Sequence, residues 1–115
     1  MENIKFINLT PHNITLVPCD GGAKEIIEKS GMIARVSTES EIVGSYRFNN
    51  KLFPIKKTRF DKVTDLPEPQ NNVVYIVSAL VRSAVPERHD VVSPTDLERD
   101  QNGQPTLAKA VDGNF

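Results

Sequence analysis

Residues 73–94, VVYIVSALVRSAVPERHDVVSP, decide how the rest of the chain is read. Val73, Val74, Tyr75, Ile76 and Val77 form an unbroken run of β-branched and aromatic residues, the pattern of a central strand covered on both faces. Ser78 then stands where a helix N-cap belongs. Its hydroxyl can accept from a free N–H of the first turn, and Leu80, Val81, Ala84 and Val85 give the next segment one apolar face. Pro86 ends that helix, and Arg88, His89 and Asp90 follow as the densest group of functional side chains.

On the N-terminal side, residues 5–9 (KFINL) and 14–17 (ITLV) are β-prone runs separated by Thr10-Pro11-His12-Asn13, a pattern that predicts a hairpin. Asp20-Gly21-Gly22 is a second turn signal, and residues 24–28 read as a half-exposed strand. Residues 33–37 are extended. Residues 42–48 (IVGSYRF) alternate cleanly, with Ile42, Gly44, Tyr46 and Phe48 on one face and Val43, Ser45 and Arg47 on the other. After the turn at Asn49-Asn50, residues 52–60 return as a strand in which Pro54 demands a sheet edge or a bulge. Residues 65–72 are a rigid polar connection. Near the C-terminus Asn102-Gly103, flanked by residues 97–101 and 104–111, predicts a hairpin because both central positions of its tight turn need positive φ. The expectation is an α+β fold, a mostly antiparallel or mixed β-sheet with one short helix over residues 78–85 and a C-terminal β-hairpin, in a single domain spanning residues 1–115.

Composition narrows the function classes. Fourteen Lys and Arg against 15 Asp and Glu leave a net charge of −1, so no global field draws the chain to nucleic acid or to an anionic membrane. Cys19 is the only cysteine, which excludes an internal disulfide and fits a reducing cytosol. No apolar run reaches membrane-spanning length, and the N-terminus is too polar for a signal peptide. A cytoplasmic protein without a membrane partner is expected.

Several residues carry candidate chemistry. Ser78 and Arg82 lie one helical turn apart, so a hydroxyl and a guanidinium can converge on a phosphate or carboxylate; the simpler reading is a cap and a surface arginine. Arg88, His89 and Asp90 offer an anion contact, an imidazole and a carboxylate. Neighbours on an extended segment point to opposite faces, so an Arg88–Asp90 ion pair is geometrically easier than a His89–Asp90 acid–base pair. His12 sits in the proline turn, and with His89 as the only other histidine no metal set is expected. Tyr46, Phe48, Phe53 and Phe60 accompany Arg47, Lys56, Lys57 and Arg59, but alternation turns Tyr46 and Phe48 away from Arg47 and favours rings in the core with cations in solvent. No glycine-rich phosphate loop, G-x-S-x-G turn or HExxH motif is present, so an enzyme is not favoured and no cofactor is expected.

With Asn8-Leu9-Thr10-Pro11-His12, Val74-Tyr75-Ile76-Val77-Ser78, Arg88-His89-Asp90 and Arg99-Asp100 in view, the chain resembles a family of small proteins encoded by bacteriophages and prophages, the N-terminal NLTPH segment being the most distinctive marker. The resemblance implies a genetic setting, the cytosol of a bacterial host, and with it host takeover, evasion of host defence or virion assembly. It implies no mechanism. The leading expectation is a non-enzymatic accessory protein that sequesters a small phosphorylated or nucleotide signal, with Ser78, Arg82, Arg88, His89, Asp90, Arg99, Tyr46 and His12 as candidate ligand-binding residues. The alternative is a protein-binding module, an inhibitor of a host factor or a virion accessory protein, acting through an edge strand or the basic middle hairpin. Short strands leave edges that need cover, so a homo-oligomer is also expected.

Overall fold

In a computed structural model, the structure describes residues 3–99, 101–102 and 105–114, with Asp96, Arg99, Pro105 and Thr106 by backbone alone. Eight strands and one helix follow in the order β1 (Lys5–Asn8), β2 (Ile14–Leu16), β3 (Glu25–Ile27), β4 (Arg35–Phe48), β5 (Lys51–Thr64), β6 (Val73–Ile76), α1 (Ala79–Ala84), β7 (Val91–Arg99) and β8 (Pro105–Gly113). The fold is mostly β, and its two sheets are separate.

The larger sheet has the order β1-β6-β7-β8-β2-β3 and is mixed. β1, β6 and β7 run parallel, with Ile7 opposite Tyr75 and Tyr75 opposite Val91. β7 pairs antiparallel with β8, β8 parallel with β2, and β2 antiparallel with β3. The sheet curls until its two ends meet: Asn8 bridges Lys29, and Ser30 N–H donates to the Asn8 carbonyl at 3.0 Å. β6 occupies the position its sequence demands, since Tyr75, Ile76 and Val77 are fully buried. Tyr75, Val77 and Val91 form the core with Leu9, Ala34, Val81 and Val85, and the helix lies over this face. Burial of those side chains is the main source of stability, at about 1.5–3 kcal/mol for each large one.

The expected N-terminal hairpin does not form. β1 and β2 do not pair, because the Asn8 side chain takes up the turn's backbone groups and sends β2 to β3 and β8 instead. The C-terminal strands pair from Val92↔Gly113 to Arg99↔Pro105, with Asn102 between them and Gly103 outside the described residues.

β4 and β5 form the second sheet alone, an antiparallel arm of 14 residues in each strand. The extended runs expected separately at 33–37 and 42–48 are thus one strand. Asn49 (φ 50°) and Asn50 (φ 63°) close the tip in the left-handed region that a two-residue hairpin turn requires. Pro54 sits opposite Ser45, where a two-stranded ribbon leaves an open edge for a residue without an N–H. At its root Val36 and Val63 pack against the core, but the rest projects. The radius of gyration is accordingly 17.9 Å, against about 13 Å for a compact chain of similar length.

A bulge corrects the face assignment made from alternation. Register passes from Ile42↔Lys56 to Gly44↔Ile55, leaving Val43 unpaired. Ile42 therefore faces the opposite way from Gly44, Tyr46 and Phe48. The aromatic residues are not in the core: Tyr46, Phe48, Phe53 and Phe60 are all exposed.

Candidate functional site

The NLTPH segment is a seam. Asn8 ends β1 fully buried, and its side-chain amide donates to the carbonyls of His12 at 2.8 Å and Ile27 at 3.0 Å. Its oxygen accepts from Thr10 N–H at 3.0 Å and Thr10 Oγ1 at 2.7 Å. One side chain thereby ties together β1, the Thr10-Pro11-His12 turn and β3. Leu9 drops into the core beside it. The motif's first residues thus fix the position of its last, because the turn that Asn8 holds presents His12 at the surface.

Ser78 does cap α1, accepting from Val81 N–H at 3.3 Å. Since β1 and β6 are parallel, their carboxyl ends lie side by side, and the chain leaving each one, Thr10 to His12 from β1 and Val77-Ser78 from β6, walls the same cleft. The cleft has a volume of about 460 Å³, within the range of small-molecule pockets. Pro94, Leu97 and Leu107 from β7 and β8 supply an apolar wall, while Asn13 and Thr15 add polar groups. No hydrogen bond engages the His12 imidazole among the described residues, and the Ser78 hydroxyl keeps its proton for a ligand.

Two of the three arginines expected at a ligand, Arg82 and Arg88, are committed elsewhere. Arg82 turns away from Ser78: its Nε donates to the buried Ser93 hydroxyl at 2.9 Å, and its terminal nitrogens reach Asn114 at 3.4 Å and Asp112 at 3.5 Å. Asn114 returns the contact through Nδ2, which donates to the carbonyls of Arg82 and Val85 and so closes the C-terminus of α1. Arg88 forms a bidentate pair with Asp90 at 2.8 and 2.9 Å and donates to the Pro67 carbonyl at 2.8 Å. The Arg88 hydrogen bonds, aided by its charge, hold the Asp90 carboxyl below the usual carboxylate range, and Asp90 in turn raises Arg88.

Both oxygens of Asp90 accept from Arg88, and His89 is exposed. Tyr46 lies on the projecting arm, and Arg99 ends β7 with its side chain outside the description. Of the candidates whose side chains are described, His12 and Ser78 alone line one cleft.

Sequence reasoning passed over the apolar wall of Pro94, Leu97 and Leu107. Leu97 is three residues from Pro94 and pairs with Ala108 while Leu107 pairs with Glu98, so strand alternation gives no sign that the three share a cleft. A second cleft of about 480 Å³ opens between Ile4, Phe6, Leu16 and Ile27. Glu25 and Lys109 stand at it beside an otherwise apolar lining, without a histidine or a hydroxyl. Among the described residues no group of three or more His, Cys, Asp or Glu is placed to hold a metal ion, and no helix is long and apolar enough to cross a membrane. Comparison with protein-family models, curated proteins and solved structures gives no significant match.

Proposed function

We propose that the protein binds a small phosphorylated or nucleotide-like molecule in the cleft between the His12 turn and Ser78, and holds it without turning it over. The convergence of His12 and Ser78 at the carboxyl ends of two parallel strands carries this reading. The apolar wall suits a base or another flat ring, and the imidazole and hydroxyl suit a phosphate or ribose oxygen. We read β7 and β8 as a hairpin closed through Asn102-Gly103, which sets that wall. The resemblance to phage-encoded proteins supplies the setting: sequestration of a host-defence signal in the bacterial cytosol. Sequestration needs affinity alone, and among the described residues no hydrogen bond joins the Ser78 hydroxyl to the His12 imidazole as nucleophile to base.

Melting of the purified protein against linear and cyclic nucleotides tests the reading. One class is expected to raise the melting temperature of the wild type, and the rise is expected to shrink in His12→Ala and Ser78→Gly. Glycine keeps most of the helix cap while removing the hydroxyl. Equal shifts in all three proteins would remove the cleft from consideration.

A second reading, a protein-binding module, is favoured by Ile42, Leu52 and Phe60. They lie exposed on the arm face continuous with the core-packed Val36 and Val63. A host protein or a second copy of this chain is the partner such a strip fits. Sedimentation is then expected to show self-association that is lost in Ile42→Lys/Leu52→Glu without a change in melting; a monomer at all concentrations would limit this reading to a foreign partner.

A further inference from the structure

The opposite face of the arm has a different character. Strict alternation would set Tyr46 and Phe48 against the side of Glu41 and its partner Lys57. Because Val43 is bulged out, Gly44, Tyr46 and Phe48 instead share the face of Lys57 and Arg59, and a second register shift at Ser37/Thr38 brings Lys62 to the same face. Tyr46 stands directly opposite Phe53, and Phe48 opposite Lys51, so three rings and a cation gather at the tip, while nearer the root Glu41 stands opposite Lys57 and Glu39 opposite Arg59. The rings are open to solvent, at 71% for Tyr46, 66% for Phe48 and 48% for Phe53.

Charge is unevenly divided in the same way. Residues 35–64 hold seven cations against three acids, a net +4, so the remainder of a chain of net charge −1 stands at −5. A polyanion is attracted to the arm and repelled by the rest.

We propose that this face of the arm binds single-stranded nucleic acid, unpaired bases stacking on Tyr46, Phe48 and Phe53 while Lys51, Lys57, Arg59 and Lys62 meet the phosphates. Stacking on exposed rings beside a cationic track is how single strands are held without sequence preference. Paired bases would hide the surfaces that these rings need. The Glu39–Arg59 pair, 3.5 Å long and exposed at both ends, gives way to a phosphate at little cost. A second copy laid on this face would set its cations, Lys51, Lys57, Arg59 and Lys62, against their own copies. On the acidic remainder Asp90, Asp112 and Glu98 are already engaged, by Arg88, Arg82 and Lys109. The inference is independent of the cleft.

Fluorescence anisotropy of labelled oligothymidylate and oligouridylate, each about 12 nucleotides long, tests it on the full chain. Saturable binding is expected at low salt, weakening roughly 50-fold between about 50 and 200 mM salt if four cations neutralise phosphates. Tyr46→Ala/Phe53→Ala is expected to weaken binding about tenfold or more while keeping the salt slope. Lys57→Glu/Arg59→Glu is expected to abolish binding. Both variants should melt like the wild type, since the altered side chains are exposed. Absence of binding by the wild type at low salt would overturn the proposal, as would binding that survives both double substitutions. Sedimentation in which Tyr46→Ala/Phe53→Ala dissolves a dimer, with no oligonucleotide bound, would assign the face to a second copy.

Discussion

Replacing Asn8 with alanine is expected to cost about 3 kcal/mol, because it removes four hydrogen bonds that join three segments through one buried side chain. The Ile27 and His12 carbonyls lose their donor, and Thr10 N–H and Oγ1 lose their acceptor, at a position with 1% exposure. Against the 5–15 kcal/mol that a domain has in total, this is a drop of about 10 °C or more in melting temperature. Asn8→Asp separates hydrogen bonding from packing. The carboxylate fits the space but turns both former donor contacts into oxygen against oxygen. Its ionised form is therefore disfavoured in the fold and its pKa raised. The stability of this variant should be low at neutral pH and recover as acid protonates the group. Denaturant titration across pH checks both effects; a loss below 1 kcal/mol in Asn8→Ala would show that the β1–β3 seam does not hold the sheet closed.

The second large effect concerns Arg88. In Arg88→Ala the Asp90 carboxylate, 18% exposed, is left without its bidentate partner and the Pro67 carbonyl without a donor. A loss of about 2–4 kcal/mol is expected. The pH dependence follows from the lowered pKa of folded Asp90. Its stabilisation is fully present above the unfolded value, near 4, and is lost as pH falls through the lower folded value. The wild type should therefore lose stability in acid more steeply than Asp90→Asn, and the two curves should draw together at the lowest pH. Parallel curves would mean that Asp90 is not held below its ordinary range. Either variant should leave a ligand at the cleft almost unaffected, because neither Arg88 nor Asp90 lines it.

Much of the secondary structure was legible because local chemistry decided it. Ser78 caps, Pro86 follows the end of the helix, and Asn49-Asn50 turns the arm, each through a backbone requirement that the sequence displays. The run at Val73 announced a doubly covered strand, but its parallel neighbours β1 and β7 could not be read from it, since partners are chosen by residues distant in sequence. The N-terminal hairpin failed for a related reason. Nothing local says that Asn8 is buried and bonded to Ile27, 19 residues away. Alternation misled at the arm because one bulged residue, Val43, exchanges the faces beyond it. For the site, Arg82 and Arg88 attracted attention as charges, yet both are drawn into internal networks with Ser93, Asn114 and Asp90. His12 and Ser78, weaker signals in sequence, are brought together by the parallel pairing of β1 with β6.

The most direct measurement is to incubate the protein with a mixed pool of linear and cyclic nucleotides, remove the unbound fraction, release the bound material by heat and determine its mass. The proposed function predicts that one species is retained and recovered unchanged, that at about a hundred times its dissociation constant it adds roughly 2.7 kcal/mol to stability, and that His12→Ala retains less of it. Recovery of a product, or retention of nothing by a folded wild-type protein, would contradict sequestration.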